Sequence, residues 1–382
     1  MGRSASAVFQ NARWFSGPGG VLLFMSGCKN CLLPIQVAGS QIDAQGVCAP
    51  CRSYSKEDHS NDEFARAVRE ADLERALKDC RGKGEYDCLV CFSGGKDSAY
   101  LLYKLRREYG LKILAYTTDM NVPEVAWDNI KRTLDKLDVD HISYRPPREF
   151  YRKLYRFLLT NQEERGAVRT VCYICAPLFE GYAIREATHR KIPLVVAAYS
   201  PGQPDPDRMF YEFAADRIAN IDWTPPEVRE SGQFSEGELS LFWNPLQYPE
   251  GTAFPRYLAP FHAWKYSQED VMQKVVELGL IVDQKHASPV HSNCPLNWLL
   301  MHSDLKNLGY NPYAPEFSQL IREGKAKRSY WKPRIPLLNF MIKHKVGLGK
   351  PAKESMEWLD LKEEDLKIKR PPVSEWGRLR HR

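Results

Sequence analysis

The sequence has little net charge and no long hydrophobic run. Its 54 Lys and Arg residues against 48 Asp and Glu residues give a formal charge of +6 over 382 residues. No apolar run approaches the roughly 18 residues that a membrane-spanning helix requires. The longest near the start, GVLLFM at 20–25, is shorter than a signal-peptide core and lacks a cleavage site. We therefore expect a soluble, cytoplasmic protein without a membrane span.

Several compositional biases are also absent. Apolar residues make up 43% of the chain and charged residues 27%, which is typical of globular proteins and excludes a disordered, collagen-like or coiled-coil chain. No internal repeat is visible. A chain of this length is expected to form about two domains with substantial cores.

Strand and helix patterns alternate from residue 86 onwards. Such an order predicts right-handed crossovers and an α/β fold, in which helices cover both faces of a parallel sheet. Another helical pattern, 62–80, precedes the alternation. The apolar runs are 86–92, 112–118, 141–144 and 192–199, and helical spacing occupies 98–109 and 124–137 between them.

The hexapeptide SGGKDS, at 93–98, lies where the first apolar run meets a helix. Its two glycines allow a tight turn close to a ligand, and successive N–H groups at a helix start supply positive partial charge for phosphate. Serine hydroxyls and Lys96 add donors and charge. A plain turn would explain a bare Gly-Gly pair, whereas the whole hexapeptide favours a phosphate-binding loop. The GxxxxGK[ST] and GxGxxG patterns of other nucleotide-binding proteins do not fit it.

Four of the ten cysteines form two CxxC pairs, Cys28 with Cys31 and Cys48 with Cys51, separated by 16 residues. Two such pairs at this separation can close a tetrahedral thiolate shell around Zn²⁺. Since the protein would supply all four ligands, the site would be structural. Two disulfides are the alternative, and a cytoplasmic location disfavours them.

Three further cysteines form a second group. Cys172 and Cys175 are predicted just ahead of a helix over 177–189, whose positive end would favour thiolates, and Cys294 lies far along the chain. Three thiolates can hold three irons of a [4Fe–4S] cluster and leave the fourth iron open. On spacing alone, a redox pair with an unrelated core cysteine fits equally well.

The last three cysteines are interpreted as packing residues. Cys88 and Cys91 fall inside the first strand, where residues i and i+3 face opposite sides and do not readily chelate one metal. Cys80 joins them, and Cys91 is close enough to the hexapeptide to line the site.

The hexapeptide resembles the signature of the PP-loop, or N-type, ATP pyrophosphatases. Members of that superfamily grip the pyrophosphate of ATP, transfer AMP to a substrate carbonyl oxygen and let a nitrogen or sulfur nucleophile displace AMP. The resemblance implies ATP and Mg²⁺ as cofactors, with Asp97 helping to place Mg²⁺ and with Thr118 and Asp119 near adenine. The pyrophosphate ligands that it implies are Ser93, Gly94, Gly95, Lys96 and Ser98.

The second cysteine group resembles that of the tRNA-thiolating PP-loop enzymes. In those enzymes a CxxC opens the helix before the fourth strand, and a third Cys follows an R-x-x-x-P segment, here 256–260, and a helix, here 267–280. The resemblance implies that these cysteines hold a [4Fe–4S] cluster whose open iron carries sulfur from a sulfur donor to the adenylated carbon. Such enzymes usually have a Gly-His-x-x-Asp-Asp-like motif where this chain has YSPGQPD at 199–205. This difference counts against the same substrate pocket and against RNA as the substrate. The cluster ligands implied are Cys172, Cys175 and Cys294.

From residue 28 to about 147 the chain also resembles the N-acetyl sugar amidotransferases of surface-polysaccharide biosynthesis. The resemblance rests on CKNCLLP, GVCAPCRSY and RGKGEYDCLVCFSGGKDSAYLLYKL. Those enzymes convert the acetamido group of a nucleotide-linked sugar to an acetamidino group, with ammonia from a glutaminase partner. We rank sulfur above nitrogen, because an open iron is useful for carrying sulfide and unnecessary for ammonia. The acceptor predicted is a nucleotide sugar, a small-molecule amide or a tRNA base.

A non-catalytic nucleic-acid-binding module is the third reading, but it leaves SGGKDS without a task. The basic C-terminal tail, with six basic residues and one acidic residue, carries most of the net charge. The sequence is also compatible with a homodimer.

Segment 200–255 is rich in Pro, Gly and acidic residues, which predicts loops that can cover a site. Helices are predicted over 267–280, capped by Ser267, and 296–308. The regions expected are an irregular arm (1–27), a zinc ribbon (28–60), a PP-loop ATP-pyrophosphatase domain (61–265), a helical C-terminal region (266–366) and a basic tail (367–382).

Overall fold

The computed structural model of the chain describes residues 27–54, 59–201, 211–283 and 293–370. Apart from Gly27, the predicted arm 1–27 lies outside these residues. The strands are β1 Cys88–Cys91, β2 Ile113–Thr118, β3 Asp140–Tyr144, β4 Gln162–Glu163, β5 Leu194–Ala197, β6 Arg256–Leu258 and β7 Ile368–Arg370.

Five parallel strands form the central sheet, in the order β3-β2-β1-β5-β6. Leu89 of β1 pairs with Leu114 of β2 on one side and with Val195 of β5 on the other. The strand order reverses between β1 and β5, and open α/β sheets bind ligands at the carboxyl ends of the strands at such a point. The predicted parallel α/β fold is confirmed.

Helices cover both faces of this sheet. In the part of the chain that the structure describes, no helix is long and apolar enough to cross a membrane. The helices are α1 Ala49–Arg52, α2 His59–Asp79, α3 Lys96–Tyr103, α4 Glu124–Leu137, α5 Arg148–Thr160, α6 Ala167–His189, α7 Ala215–Asn220, α8 Pro226–Glu230, α9 Glu236–Leu239, α10 Gln268–Glu277, α11 Asn297–Asn307, α12 Ala314–Arg322, α13 Arg328–His344 and α14 Lys350–Leu359.

The sheet separates two apolar cores. Leu89 and Leu114 belong to the core that contains residues of α5 and α6. Val90 and Ala115, one position further along the same strands, belong to the core that contains residues of α2, α3, α4 and α10. Because successive side chains of a strand point to opposite faces, both faces of these strands are buried, which explains their uninterrupted apolar sequence.

The C-terminal helices divide between the two parts of the molecule. Helix α10 begins at Ser267, whose Oγ accepts a hydrogen bond from Asp270 N at 3.2 Å, as the capping pattern predicts. Val275 of α10 is buried in a sheet core, so this helix packs with the α/β domain. The predicted helix over 296–308 is confirmed as α11. Helices α11 to α14 form the C-terminal extension, and α11 and α14 pack near α6 and α5.

Three local predictions need correction. Segment 211–255 is not a set of loops: it contains α7, α8 and α9, and its Trp223 and Trp243 are fully buried because they complete the α5–α6 core. The predicted tail begins with β7, which pairs in parallel with β4. The helix predicted over 98–109 starts at Lys96 and ends in a π-helical turn, Lys104–Glu108. Residues 202–210 and 371–382 lie outside the described residues.

Candidate active site and metal centre

The hexapeptide forms the turn between β1 and α3, at the carboxyl edge of the sheet. Gly94 has φ +73°, a left-handed conformation that favours glycine, and a Cβ there would lie 2.4 Å from the carbonyl oxygen of Ala126. Asn129 Nδ2 donates to the carbonyl of Gly94 at 3.1 Å. Ser98 Oγ lies 3.2 Å from Ser93 Oγ and donates to the carbonyl of Gly95 at 3.0 Å. The loop is therefore held in one shape by α4 and by its own serines.

Two charged residues of the hexapeptide are held at the start of α3. Lys96 is 9% exposed and its Nζ donates to Asp97 Oδ2. Asp97 Oδ1 accepts a second hydrogen bond from the hydroxyl of Tyr266 at 2.8 Å. A cation and a carboxylate thus lie together beside a helix N-terminus, which is an arrangement suited to phosphate and a divalent ion.

The end of β2 provides the second predicted element of the site. Asp119 is 6% exposed, and its Oδ1 accepts from the backbone N of Asn121 at 3.0 Å and of Val122 at 3.2 Å. Arg145 Nε donates to Asp119 Oδ2 at 2.8 Å. Asp119 therefore shapes the turn that follows β2. Thr118 is half-buried directly before it.

A cavity of about 440 Å³ opens beside this turn. Asp119 and Arg145 line it from the sheet side. Cys294 lines it from the segment before α11, and Trp298 of α11 and Trp358 of α14 supply aromatic walls. The predicted adenine residue Asp119 and the predicted cluster cysteine Cys294 thus share one cavity.

The segment that carries Cys294 also contacts the phosphate loop directly. Asn293 Nδ2 donates to the carbonyl of Ser93 at 2.9 Å. Cys294 is the next residue in the chain, and its carbonyl accepts from Asn297 N, at the start of α11, at 3.2 Å. A contact between residues 200 positions apart in sequence therefore brings the third cysteine to the edge of the loop.

The position predicted for Cys172 and Cys175 is wrong in one respect. Helix α6 does not begin after them but at Ala167, and it continues through Pro177. Both cysteines therefore lie beyond its first turn, where the helix dipole has largely decayed. Their spacing of three residues nevertheless places them on the same face of the helix. Contrary to the sequence prediction, the positive end of the helix therefore does not act on these thiols, but both lie on one side of α6.

The start of α6 was missed because a distant residue caps it. Asp304 of α11 is fully buried, and its carboxylate accepts hydrogen bonds from the backbone N of Ala167 and, at 3.0 Å, of Val168. Gly166 precedes the helix at φ +96°, where a Cβ would lie 2.3 Å from Asp304 Oδ1. Burial raises the pKa of Asp304 to about 7 against the lowering effect of these two N–H groups. The helix that follows Cys294 is thereby bonded to the helix that carries the other two cysteines.

Tyr155 and Tyr313 are the tyrosines nearest to the predicted cluster cysteines. Tyr155 is buried, and its hydroxyl is 3.2 Å from Cys175 Sγ. Tyr155 also lines the same cavity as Cys294. Burial raises the pKa of Tyr155 well above its usual range, and Cys175 and Cys294 add to the rise. Burial likewise raises the pKa of Tyr313, which is partly buried against the same core, with contributions from Cys172 and Cys294.

The four N-terminal cysteines come together more tightly. Their Sγ atoms all lie within 4.8 Å of one another, and they are the only group of this kind among the residues that the structure describes. Cys28 Sγ is 3.7 Å from Cys51 Sγ, and Cys31 Sγ is 3.5 Å from Cys48 Sγ. A zinc ion with four Zn–S bonds of about 2.3 Å in a tetrahedron requires sulfur atoms about 3.8 Å apart, so this site fits zinc.

The backbone joins the two CxxC turns and affects their thiols unequally. Gly46 has φ +80°, and its carbonyl accepts from Lys29 N at 2.8 Å, which joins the two turns. Burial alone would raise the pKa of Cys28, but hydrogen bonds from the backbone around Cys31 and Cys48 outweigh it and lower that pKa to about 6. Burial raises the pKa of Cys48 to about 11 and that of Cys51 well above its usual range. Metal binding requires thiolates, so Cys48 and Cys51 would lose their protons only as an ion binds.

The packing cysteines lie where the sequence predicts. Cys80 and Cys88 are buried in the core on the α2–α3 face, whereas Cys91 packs against the opposite core, with its Sγ 3.5 Å from the hydroxyl of Tyr257. Burial raises the pKa of Cys80 to about 11. These thiols are protonated packing residues at neutral pH.

Several residues of the site could not be found from the sequence. Asn293, Tyr266 and Tyr313 reach the loop or the cysteines from distant segments, without a motif that marks them. Glu316 of α12 is also close to the loop: burial raises its pKa to about 8, with Lys96 lowering and Asp97 raising it. Of these residues, only Asn293 could have been suspected from the sequence, because it directly precedes the predicted ligand Cys294.

No protein-family model and no curated protein matches the sequence. Solved structures similar to the chain include the U34-tRNA thiolase NcsA of Methanococcus maripaludis with its [4Fe-4S] cluster, at 13% identity and a TM-score of 0.35 over 88% of this chain and 89% of the thiolase. NMN synthetase of Francisella tularensis is 12% identical, with a TM-score of 0.33 over 81% and 98%. NH3-dependent NAD synthetase of Campylobacter jejuni is 11% identical, with a TM-score of 0.34 over 79% and 98%. At such identity the similarity concerns the fold alone.

Proposed function

We propose that the protein adenylates a substrate carbonyl oxygen with ATP and then replaces that oxygen by sulfur. In the first step the carbonyl oxygen forms a bond to the α-phosphorus of ATP, and pyrophosphate leaves. In the second step sulfide forms a bond to the activated carbon, and AMP leaves with the original oxygen. Adenylation is needed because the oxygen of an amide is a poor leaving group.

The observation that carries this proposal is the hydrogen bond from Asn293 to the carbonyl of Ser93. It fixes the segment of Cys294 against a loop suited to pyrophosphate. An activated carbon held next to the α-phosphate would then face the cysteine group across the shared cavity. Proximity of this kind converts a bimolecular transfer into an effectively unimolecular one.

The chain's own residues have distinct tasks in the first step. The N–H groups of the glycines and the start of α3 bind the phosphates, and Lys96 neutralises the charge that develops on pyrophosphate. Asp97, oriented by the hydroxyl of Tyr266, is the carboxylate available for Mg²⁺. Trp298 and Trp358 give the cavity apolar walls that exclude water from the activated carbon.

The three cysteines around Tyr155 and Tyr313 fit a [4Fe–4S] cluster. Two contacts support this: the hydroxyl of Tyr155 is 3.2 Å from Cys175 Sγ, and Tyr155 lines the same cavity as Cys294. Cys172, Cys175 and Cys294 would hold it, and the cluster would supply sulfur transfer through its fourth iron. The ribbon cysteines would hold a structural zinc ion.

The adenylation step is tested by nucleotide binding. The probe is the magnesium complex of α,β-methylene-ATP, titrated calorimetrically into the full chain. Lys96→Ala should weaken binding by about 10- to 100-fold, the expected cost of losing charge-assisted hydrogen bonds to phosphate. Lys131→Ala, exposed on α4, is the matched control and should bind as the wild type does. Unchanged binding by Lys96→Ala would remove the phosphate-loop assignment.

The sulfur step is tested by iron analysis. Protein purified without oxygen should contain about four irons per chain and absorb in the iron–sulfur charge-transfer region. Cys172→Ser and Cys294→Ser should each lose most of this iron. Cys80→Ser is the control, because Cys80 packs away from the site and a serine hydroxyl can donate to the Leu77 carbonyl as the thiol does. An iron-free preparation that is fully active would instead favour amidination with ammonia.

A further inference from the structure

Helix α12 lies between the ribbon and the phosphate loop. Phe317 and Ile321, one turn apart, pack towards the ribbon: both belong to the cluster around Leu32 and Trp331, and Ile321 also packs on the cysteine core. The rings of Phe317 and Trp331 stack with centroids 4.2 Å apart. One face of α12 is therefore joined to the ribbon by apolar contacts.

The end of the same helix contacts a metal ligand. Arg322 Nη1 donates to Cys31 Sγ at 3.4 Å, and Cys31 is fully buried. A divalent ion bound by four thiolates has a formal charge of −2, so the guanidinium of Arg322 provides a counter-charge in direct contact with one ligand. This contact is strongest when the ribbon holds its metal, because all four sulfurs are then thiolates.

An adjacent face of α12 lines a small pocket beside the hexapeptide. Glu316 and Leu320, again one turn apart, each precede a ribbon-facing residue by one position, which is about 100° round a helix. They line the pocket with Ser200 and Tyr266. Tyr266 donates to Asp97 of the hexapeptide at 2.8 Å. The charges of Lys96 and Asp97 shift the pKa of Glu316 in opposite directions, and the charge of Glu316 raises the pKa of Tyr266. This face of α12 therefore lies beside Tyr266, the residue that holds Asp97.

We infer that the four-cysteine ribbon, through Arg322 and α12, holds Glu316 and Leu320 in place beside Tyr266, whose hydroxyl orients Asp97, so that metal loading of the ribbon strengthens nucleotide binding at the phosphate loop. Arg322 is a positioning residue, since it touches the ribbon and not the nucleotide. The inference rests on the proposed function for its ligand, and it assigns the ribbon a role in regulating that site.

The link is reciprocal. If a zinc ion in the ribbon raises the affinity for nucleotide, bound nucleotide must raise the affinity for zinc by the same factor. Loss of zinc would release Arg322 and loosen α12, and the pocket wall would no longer hold Tyr266 against Asp97. The ribbon would then report metal availability to the catalytic domain without touching the substrate.

Equilibrium binding of Mg²⁺–α,β-methylene-ATP to the full chain tests this inference. Zinc content and melting temperature are measured on each sample. Arg322→Gln should keep one zinc per chain and its melting temperature, yet bind the analogue about fivefold more weakly, the lower end of usual site-to-site coupling. Arg322→Lys keeps the charge and should bind within about twofold of the wild type. Arg229→Gln, which removes an arginine paired with Asp222 outside this region, should bind as the wild type does.

A second arm removes zinc with a chelator and then restores it. Removal should weaken analogue binding to the wild type at least as much as Arg322→Gln does, and restoration should recover it. Removal of zinc from Arg322→Gln should weaken analogue binding little further, because both changes break the same connection between the ribbon and α12. If zinc-depleted protein loses the circular dichroism signal of the folded state, the inference is decided by the binding of the zinc-loaded Arg322 variants.

The outcomes separate this inference from the proposed function. Equal binding by zinc-loaded and zinc-depleted folded protein, or by Arg322→Gln and the wild type, overturns the link and leaves the proposed function standing. A wild-type chain that does not bind the analogue overturns both.

Discussion

Gly94 is the residue at which the phosphate loop and α4 approach most closely. Its φ of +73° and the 2.4 Å that would separate a Cβ from the Ala126 carbonyl both exclude other side chains. Gly94→Ala should therefore lower the free energy of unfolding by about 1–3 kcal/mol and weaken binding of the ATP analogue. Urea denaturation and calorimetric titration measure the two effects.

Gly82 provides the matched control for backbone strain alone. It has a similar φ of +67°, but a Cβ there would meet no atom within 4 Å. Gly82→Ala should cost about 1 kcal/mol, the usual penalty of a left-handed conformation, and leave nucleotide binding unchanged. Equal effects of the two substitutions on binding would contradict the close approach of α4 to the loop.

Among single residues, the sequence identifies those site residues whose contacts lie within one short segment. The six residues 93–98 are contiguous, and their chemistry can be read from one strand-to-helix turn. Asn293 and Tyr266 reach the same turn from 200 and 169 residues away. Contacts of such length depend on the fold, so no spacing rule could have predicted them.

Helix α6 shows the same limit at the scale of an element. Its periodicity identifies the helix, but its start depends on Asp304, 137 residues further along the chain. Pro177 is a misleading start signal, because proline is frequent at the first position of a helix but here lies inside α6. Four strands, β1, β2, β3 and β5, are by contrast predicted within about two residues by their apolar runs, whereas the short strands β4, β6 and β7 are not predicted.

The helices of the C-terminal extension are joined by Glu363. Its carboxylate accepts from His302 Nε2 at 3.0 Å and Lys306 Nζ at 2.7 Å, both on α11, and from Lys345 at the end of α13. Burial alone would raise the pKa of Glu363, but hydrogen bonds from Lys306, Lys345 and His302 outweigh it and hold the pKa at about 2. The carboxylate is thus a shared acceptor for two helices.

A depressed pKa makes this contribution dependent on pH. The stabilisation is complete above the ordinary pKa of 4.5 and is lost as the pH falls towards about 2. Glu363→Gln should lower the free energy of unfolding by about 1–2 kcal/mol at pH 7, allowing for solvent screening of a partly exposed group. The difference from the wild type should shrink in urea denaturation at pH 3.5.

The control for this pH effect is a surface ion pair. Glu357 on α14 lies 3.8 Å from Lys353, and both side chains are exposed. Glu357→Gln should change stability by less than about 0.5 kcal/mol at either pH. A loss in Glu363→Gln that is the same at pH 7 and pH 3.5 would show that packing, and not charge, explains the effect.

For the whole molecule, the sequence predicts the α/β domain better than the arrangement around it. Alternating strands and helices fix the sheet, because each crossover is local and of one hand. The docking of the ribbon on α12 and α13, and the pairing of β7 with β4, join residues from opposite ends of the chain. The four N-terminal cysteines form a tight group, as the sequence predicts, but only the fold shows that α12 lies between the ribbon and the loop.

The docking of the ribbon has a consequence for synthesis of the chain. Cys31 contacts Arg322, which the ribosome adds 291 residues later. At a translation rate of about 5–20 residues per second, roughly 15–60 s pass between synthesis of the two CxxC turns and synthesis of the helix that covers them. Throughout this interval Leu32 and the thiols remain open to zinc and to chaperones. The order of translation therefore leaves the four thiols accessible before α12 can cover them.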